Sequence, residues 1–149
     1  MSRLSAEETR NLRDRLRLSQ EELASELSVA RRTLSTWETG TYRTPAYLPS
    51  ELRRLARKQR TQAKHLLSQV RALPGVNTKQ RLSGADFAQI RKRMRLSHTG
   101  IATLLDVAPG TVRSWETEQY FIPYRIPADL VTLAEDRIAE LDQLIDDLA

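Results

Sequence analysis

Shifted by 78 residues, this chain nearly falls on itself: residues 4–56 align without a gap on residues 82–134. Identical pairs include Arg13/Arg91, Leu18/Leu96, Ser19/Ser97, Ala24/Ala102, Val29/Val107, Thr33/Thr111, Trp37/Trp115, Glu38/Glu116, Tyr42/Tyr120, Pro45/Pro123 and Pro49/Pro127. Such a repeat constrains the fold more than any local signal, because it says that one device was built twice on one chain. A unit of about 53 residues is near the lower limit for an independent core. Two small domains braced by shared helices are therefore expected, and what differs between the copies becomes the functional question.

Each copy reads as several short helices, with no alternating strand pattern. Ser5-Ala-Glu-Glu8 has the form of a capping box and opens a helix to about Arg17. Ser19-Gln-Glu-Glu22 opens another that ends near Leu27. A third spans Ala30 to Glu38, with Gly40 as its stop. Pro45 and Pro49 make the next segment a loop. A long helix follows from Ser50 to about Leu73, apolar at 52, 56, 63, 66, 70 and 73 with Gln59 as the exception. Pro74, Gly75, Val76 and Asn77 end it. The second copy predicts helices near 84–95, 98–105 and 109–116, then a loop at Pro123 and Pro127. The last helix, Ala128 to Leu148, carries a coiled-coil-like seam at Val131, Ala134, Ile138, Leu141, Ile145 and Leu148. The expected fold is all-α, divided as 1–56, a basic helical linker 57–81, 82–134, and an acidic C-terminal helix 135–149.

Composition excludes several functions. Without cysteine there is no disulfide framework or thiolate metal site. The two histidines, His65 and His98, lie in different repeat contexts, so neither metal nor cofactor is expected. No apolar run approaches a membrane span, and the polar start lacks a signal-peptide core; a cytoplasmic, nucleoid-associated location is expected. A formal charge of +5 and a pI near 10.0 permit nucleic-acid binding. That charge is uneven. Residues 50–81 hold nine Lys/Arg against Glu51 alone, and residues 129–149 hold seven acids against Arg137 alone. The contrast describes either two oppositely charged helices able to find each other or two solvated faces.

The residues Leu18-Ser-Gln-Glu-Glu-Leu-Ala24, Leu27-Ser-Val-Ala30, Thr33-Leu-Ser-Thr-Trp-Glu38 and Gly40 resemble the lambda-repressor-like helix-turn-helix family, of xenobiotic-response-element type. Residues Leu96-Ser97, Ile101-Ala102, Leu105, Val107-Ala108 and Thr111-Val-Arg-Ser-Trp-Glu116 resemble it more weakly. The resemblance implies two tandem helix-turn-helix domains, each followed by a long helix, with double-stranded DNA as partner. The physics agrees: Leu23, Ala24, Leu27, Val29, Leu34 and Trp37 can pack two crossed helices and leave the third free to enter a major groove. The family further implies that Gln20 contacts phosphate or braces the reading residues, and that Arg31 and Arg32 stand at the exposed start of the recognition helix. Ser35 and Thr36 are further groove-facing candidates, and Thr41 and Arg43 sit in a loop resembling the family's phosphate-contacting loop. Arg13 with Glu38, and Arg91 with Glu116, match a family pair that ties the scaffold together.

The copies part where DNA would be read. Arg31-Arg32 becomes Pro109-Gly110, and Gln20 becomes His98. Thr111, Arg113 and Ser114 remain nearby, and His98 can donate to a phosphate or stay solvated. The second motif is left to read another sequence, to hold backbone, or to serve assembly. Enzymatic function is not expected, since no nucleophile–base set or phosphate-cradling loop is present. The expected role is a bacterial, plasmid or phage repressor or autoregulator acting as a covalent pseudo-dimer on an asymmetric site. The alternative gives DNA to the first motif alone, with homodimerisation or antitoxin-like partner binding through the second repeat and 128–148.

Overall fold

The computed structural model describes residues 3–73 and 81–149. These form eight helices: α1 (Ala6–Arg15), α2 (Gln20–Glu26), α3 (Arg31–Thr39), α4 (Leu48–Arg71), α5 (Gly84–Arg93), α6 (His98–Leu105), α7 (Pro109–Glu116) and α8 (Ile126–Asp147). No strand occurs among the described residues, and the fold is all-α. The chain divides into two compact units, Met1–Arg60 with Glu140–Ala149 (unit 1) and Thr61–Ala139 (unit 2). The stop expected at Pro74, Gly75, Val76 and Asn77 lies outside the described residues.

In unit 1 the first two helices begin for local reasons. The Ser5 hydroxyl accepts from the Glu8 amide while the Ser5 amide donates to the Glu8 carboxylate, both at 3.0 Å. Ser19 and Glu22 repeat the exchange at 3.1 Å in each direction. Each box satisfies two donors that a helix start otherwise leaves open. Arg17 (φ 54°) and Ser28 (φ 56°) take left-handed conformations after α1 and α2, so α1 ends at Arg15 rather than reaching Arg17. α3 stops on Gly40 at φ 79°, where glycine meets no steric penalty.

Both α1 and α2 pack on α3, burying Leu12, Leu16, Leu23, Ala24, Leu34 and Trp37. α4 starts at Leu48, earlier than Ser50, with Leu48 and Pro49 both buried. A proline in the first turn costs no internal bond, because those N–H groups have no intrahelical partner. Gln59, the polar break in the apolar face of α4, is buried and donates Nε2 to the Leu16 carbonyl at 2.8 Å. It thereby satisfies an acceptor left open at the end of α1.

The end of α8 completes unit 1. Leu141, Leu144, Ile145 and Leu148 are buried, and the acids between them meet arginines: Asp147 with Arg15 at 2.9 Å, Glu140 with Arg17 at 3.6 Å, Asp142 with Arg60 at 3.0 Å. Of the seam expected on α8, Ala134, Leu141, Ile145 and Leu148 are buried within the chain, while Val131 and Ile138 are half-buried.

Unit 2 takes the start of α8 and residues 61–71 of α4. Leu66 and Val70 join Phe87, Ile90, Ile101, Val112, Trp115 and Leu130 in one core, where Phe87 meets Trp115 edge-on at 5.6 Å. Ser83 and Ser97 cap α5 and α6, accepting from the amides of Asp86 at 3.1 Å and Gly100 at 2.9 Å. Left-handed Arg95 (φ 58°) and Asp106 (φ 59°) stand at the repeat positions of Arg17 and Ser28.

One close approach is solved differently in the two units. In unit 1 the Ala6 Cβ lies 3.8 Å from where a Cβ on Gly40 would stand. In unit 2 the matching residues are Gly84 and Glu118, and the Glu118 carboxylate accepts from the Gly84 amide at 3.1 Å. A Cβ on Gly84 would fall 2.4 Å from the Trp115 carbonyl oxygen and 2.9 Å from that of Glu116. Gly84→Ala is therefore expected to cost about 1–3 kcal/mol. Gly110→Ala, with nothing within 4 Å, should stay within about 0.5 kcal/mol. Urea unfolding compares them, and equal midpoints would remove the close-approach explanation.

Candidate nucleic-acid interface

The position of α3 is set from beneath. Arg13 Nε and Nη2 donate to the two carboxylate oxygens of Glu38 at 2.8 and 2.9 Å, while Nη1 donates to the Leu18 carbonyl at 3.1 Å. Gln20 Nε2 adds a bond to Glu38 at 3.2 Å. Such a fork is both directional and strong, and the Glu38 side chain is only 1 % exposed. The hydrogen bond to Glu38 is the largest influence on Arg13 and holds its pKa above the ordinary arginine value. One carboxylate thus joins α1, the start of α2 and the end of α3, which fixes the rotation of α3.

With that rotation set, the two sides of α3 separate. Leu34, Trp37 and Glu38 are buried, Ser35 and Thr36 half-buried, and Arg31 and Arg32 exposed. Neither arginine has a hydrogen bond or ion pair with another described residue. Serines cap α1 and α2, but the N-cap of α3 is Ala30, which makes no side-chain cap bond. Omitting a polar cap costs about 1 kcal/mol and leaves first-turn N–H groups open beside two arginines. The Thr36 hydroxyl donates back to the Thr33 carbonyl at 2.6 Å. Thr41 and Arg43 follow in an exposed loop, with the Thr41 hydroxyl 2.9 Å from that of Thr39.

Arg32, Thr33, Thr36 and Tyr42 line a shallow groove along the outer side of α3. Thr33 and Tyr42 were not among the residues singled out from the sequence as DNA contacts. For Tyr42 a signal existed: Tyr120 is its repeat mate, and the two rings are 68 % and 65 % exposed. An aromatic kept for the core would be buried.

The scaffold recurs in unit 2. Arg91 Nε and Nη2 donate to Glu116 at 2.7 and 3.0 Å, and Nη1 donates to the Leu96 carbonyl at 3.0 Å. His98 Nε2 lies 3.2 Å from the Glu116 carboxylate, in the place that Gln20 takes beside Glu38. Burial pushes the Glu116 pKa up, but the hydrogen bond and charge of Arg91, then those of His98, outweigh it and hold it below the usual glutamate range. Ala108 likewise gives α7 no side-chain cap, and Pro109 occupies its first turn. Arg113 is exposed; Thr111 and Ser114 are half-buried, and the Ser114 hydroxyl donates to the Gly110 carbonyl at 2.9 Å. The long donors at the start of α3 have no counterpart at the start of α7.

Among the described residues, no group of three or more His, Cys, Asp or Glu could hold a metal ion. No described helix is long and apolar enough to cross a membrane.

Residues 10–48 match the family model described as Helix-turn-helix. The match runs from α1 through α2 and α3 to the first residue of α4. The match supports a DNA-binding role for this segment. No curated protein and no solved structure matches the chain.

Proposed function

We propose that the chain is a sequence-specific double-stranded DNA-binding repressor or autoregulator, of bacterial, plasmid or phage type, that reads bases with α3. The observation that carries this is the exposed start of α3, where Arg31 and Arg32 stand without partners among the described residues above an uncapped first turn. An arginine there can fork onto the O6 and N7 of guanine, while open N–H groups and Arg43 hold phosphates. Ser35, Thr36 and Thr41 complete the contact surface, and Gln20 braces it through Glu38.

Residues 82–134 are a second, diverged copy of the same device. Support comes from the bond set around Arg91, Leu96, His98 and Glu116, which repeats that around Arg13, Leu18, Gln20 and Glu38. His98, Thr111, Arg113 and Ser114 give this copy a weaker and different readout. One chain then acts as a covalent pseudo-dimer on an asymmetric operator.

Selection of bound sites from random duplexes tests this, with the recovered sites footprinted. Two unequal half-sites are expected, and a perfect palindrome with equal protection would sink the proposal. Arg32→Ala should lose about 1–3 kcal/mol of discrimination at one base pair. Arg43→Ala should weaken binding to all sequences alike and lower the salt slope by about one. An Arg32→Ala protein with unchanged affinity for operator and random DNA would remove the base-reading role.

A further inference from the structure

The loop after α7 presents three aromatic rings to solvent: Tyr120 is 65 % exposed, Phe121 79 % and Tyr124 52 %. Moved by the 78-residue repeat, they fall on Tyr42, Arg43 and Ala46. Unit 2 thus carries a phenyl ring where unit 1 has a cation, and a phenol where unit 1 has a methyl group. The support beneath is the same in kind. Arg3 Nη1 donates to the Thr44 carbonyl at 2.7 Å, and its repeat mate Arg81 donates from Nη1 to the Ile122 carbonyl at 3.2 Å. In unit 2 that guanidinium also lies over two of the rings, 4.9 Å from the centroid of Phe121 and 4.3 Å from that of Tyr124.

Core packing does not account for these rings. Ile122 and Ile126 already anchor the loop and are buried in the core of unit 2. The cation over Phe121 and Tyr124 restricts both side chains, so their open faces are ordered before a ligand arrives. A phenyl ring cannot answer a phosphate as a guanidinium does, but its face matches the face of any nucleobase. Bases offer their faces only when unstacked, as in a single strand. Arg81 keeps further N–H donors beside the rings for a strand's phosphates. The flanking carboxylates are engaged: Glu118 accepts from the Gly84 amide at 3.1 Å, and Asp129 pairs with Arg125 at 2.7 Å. A protein-binding anchor would instead sit in a desolvated apolar patch, whereas the exposed loop neighbours Glu118, Gln119 and Arg125 are polar.

We propose that this loop binds single-stranded nucleic acid by stacking unpaired bases on Phe121 and Tyr124, with Arg81 bracing the rings and holding a backbone phosphate. Such binding tolerates any sequence, because every base has a face to offer. It needs no base edge in a duplex groove and no residue of α3, so it is separate from the reading proposed for unit 1. Tyr120 has an equally exposed mate in Tyr42; the Phe121 and Tyr124 pair is what sets unit 2 apart.

Fluorescence anisotropy of a labelled oligothymidylate of about a dozen nucleotides tests the proposal on the full chain, beside an abasic oligomer of equal length and a random-sequence duplex. Saturable oligothymidylate binding is expected, about tenfold or more tighter than that of the abasic oligomer, which has the phosphates without the bases. Phe121→Ala and Tyr124→Ala should each weaken it about fivefold or more, whereas Phe121→Trp should keep it. Both positions are exposed, so melting temperatures should hold, and duplex affinity should stay within about twofold of the unaltered chain. Equal affinity for the abasic oligomer, or unchanged affinity in both alanine variants, overturns the proposal, since charge alone would then account for binding. A matched loss of duplex affinity would assign the rings to a duplex interface and overturn it too. If the unaltered chain self-associates in sedimentation, and Phe121→Ala abolishes that without changing oligothymidylate affinity, the rings join two copies and the proposal is likewise overturned.

Discussion

Deletion of residues 140–149 is expected to unfold unit 1 under conditions in which the full chain is folded. Leu141, Leu144, Ile145 and Leu148 are at most 5 % exposed, and burial of such side chains contributes about 1.5–3 kcal/mol each. Together they supply roughly 6 kcal/mol or more, which is comparable with the whole stability of a typical domain. The ion pairs along the same segment are minor beside this. Arg15 and Asp147 are 40 % and 43 % exposed, and exposed pairs contribute about 0–1 kcal/mol. Leu144→Ala should therefore cost about 2–5 kcal/mol, whereas Asp147→Asn should cost less than about 1 kcal/mol. Circular dichroism melts decide the matter: a deleted chain that loses only the helicity of its missing residues would refute the role.

Arg13→Ala should cost about 3–5 kcal/mol, because it strands the Glu38 carboxylate in an apolar setting. Replacing Arg13 and Glu38 together by apolar residues of similar size should cost far less. That contrast separates a stranded charge from simple loss of packing. Arg91→Ala should follow the same pattern in unit 2, with a pH dependence that reports on Glu116. Its folded pKa is depressed, so the stability it contributes is present above the unfolded pKa and disappears as pH falls through the folded one. Urea midpoints should fall as pH drops below the ordinary glutamate range, and Arg91→Ala should flatten that decline. An Arg91→Ala chain with the same acid profile would show that other carboxylates set it.

The contrast between legible and illegible features follows from distance along the chain. Ser5 with Glu8 and Ser19 with Glu22 are three residues apart, so their caps were readable from spacing. The helix-turn-helix segment was readable because its apolar positions, its short turns and Gly40 all lie within one compact stretch. Gln59 looked like a flaw in an apolar stripe, since its partner carbonyl, Leu16, is 43 positions away. The seam of α8 had the right period, but period gives no address, and its acids could as well have been solvated. Arg60 with Asp142 and Arg71 with Glu135 show that the basic and acidic helices do meet, while Arg15 and Arg17 also take acids from the tail.

The closure of unit 1 by α8 also has a consequence in time. The matched helix-turn-helix segment is fully synthesised by residue 48, yet Arg15 waits for Asp147, 132 positions later. Contacts so far apart form late, because chain entropy must be lost before they return anything. At about 5–20 residues per second, the interval on the ribosome is several seconds or longer. A nascent chain stalled in that interval carries the helix-turn-helix segment without its floor, and should be held open to chaperones and proteases. Translation through the closing helix is thus a condition for a stable helix-turn-helix segment.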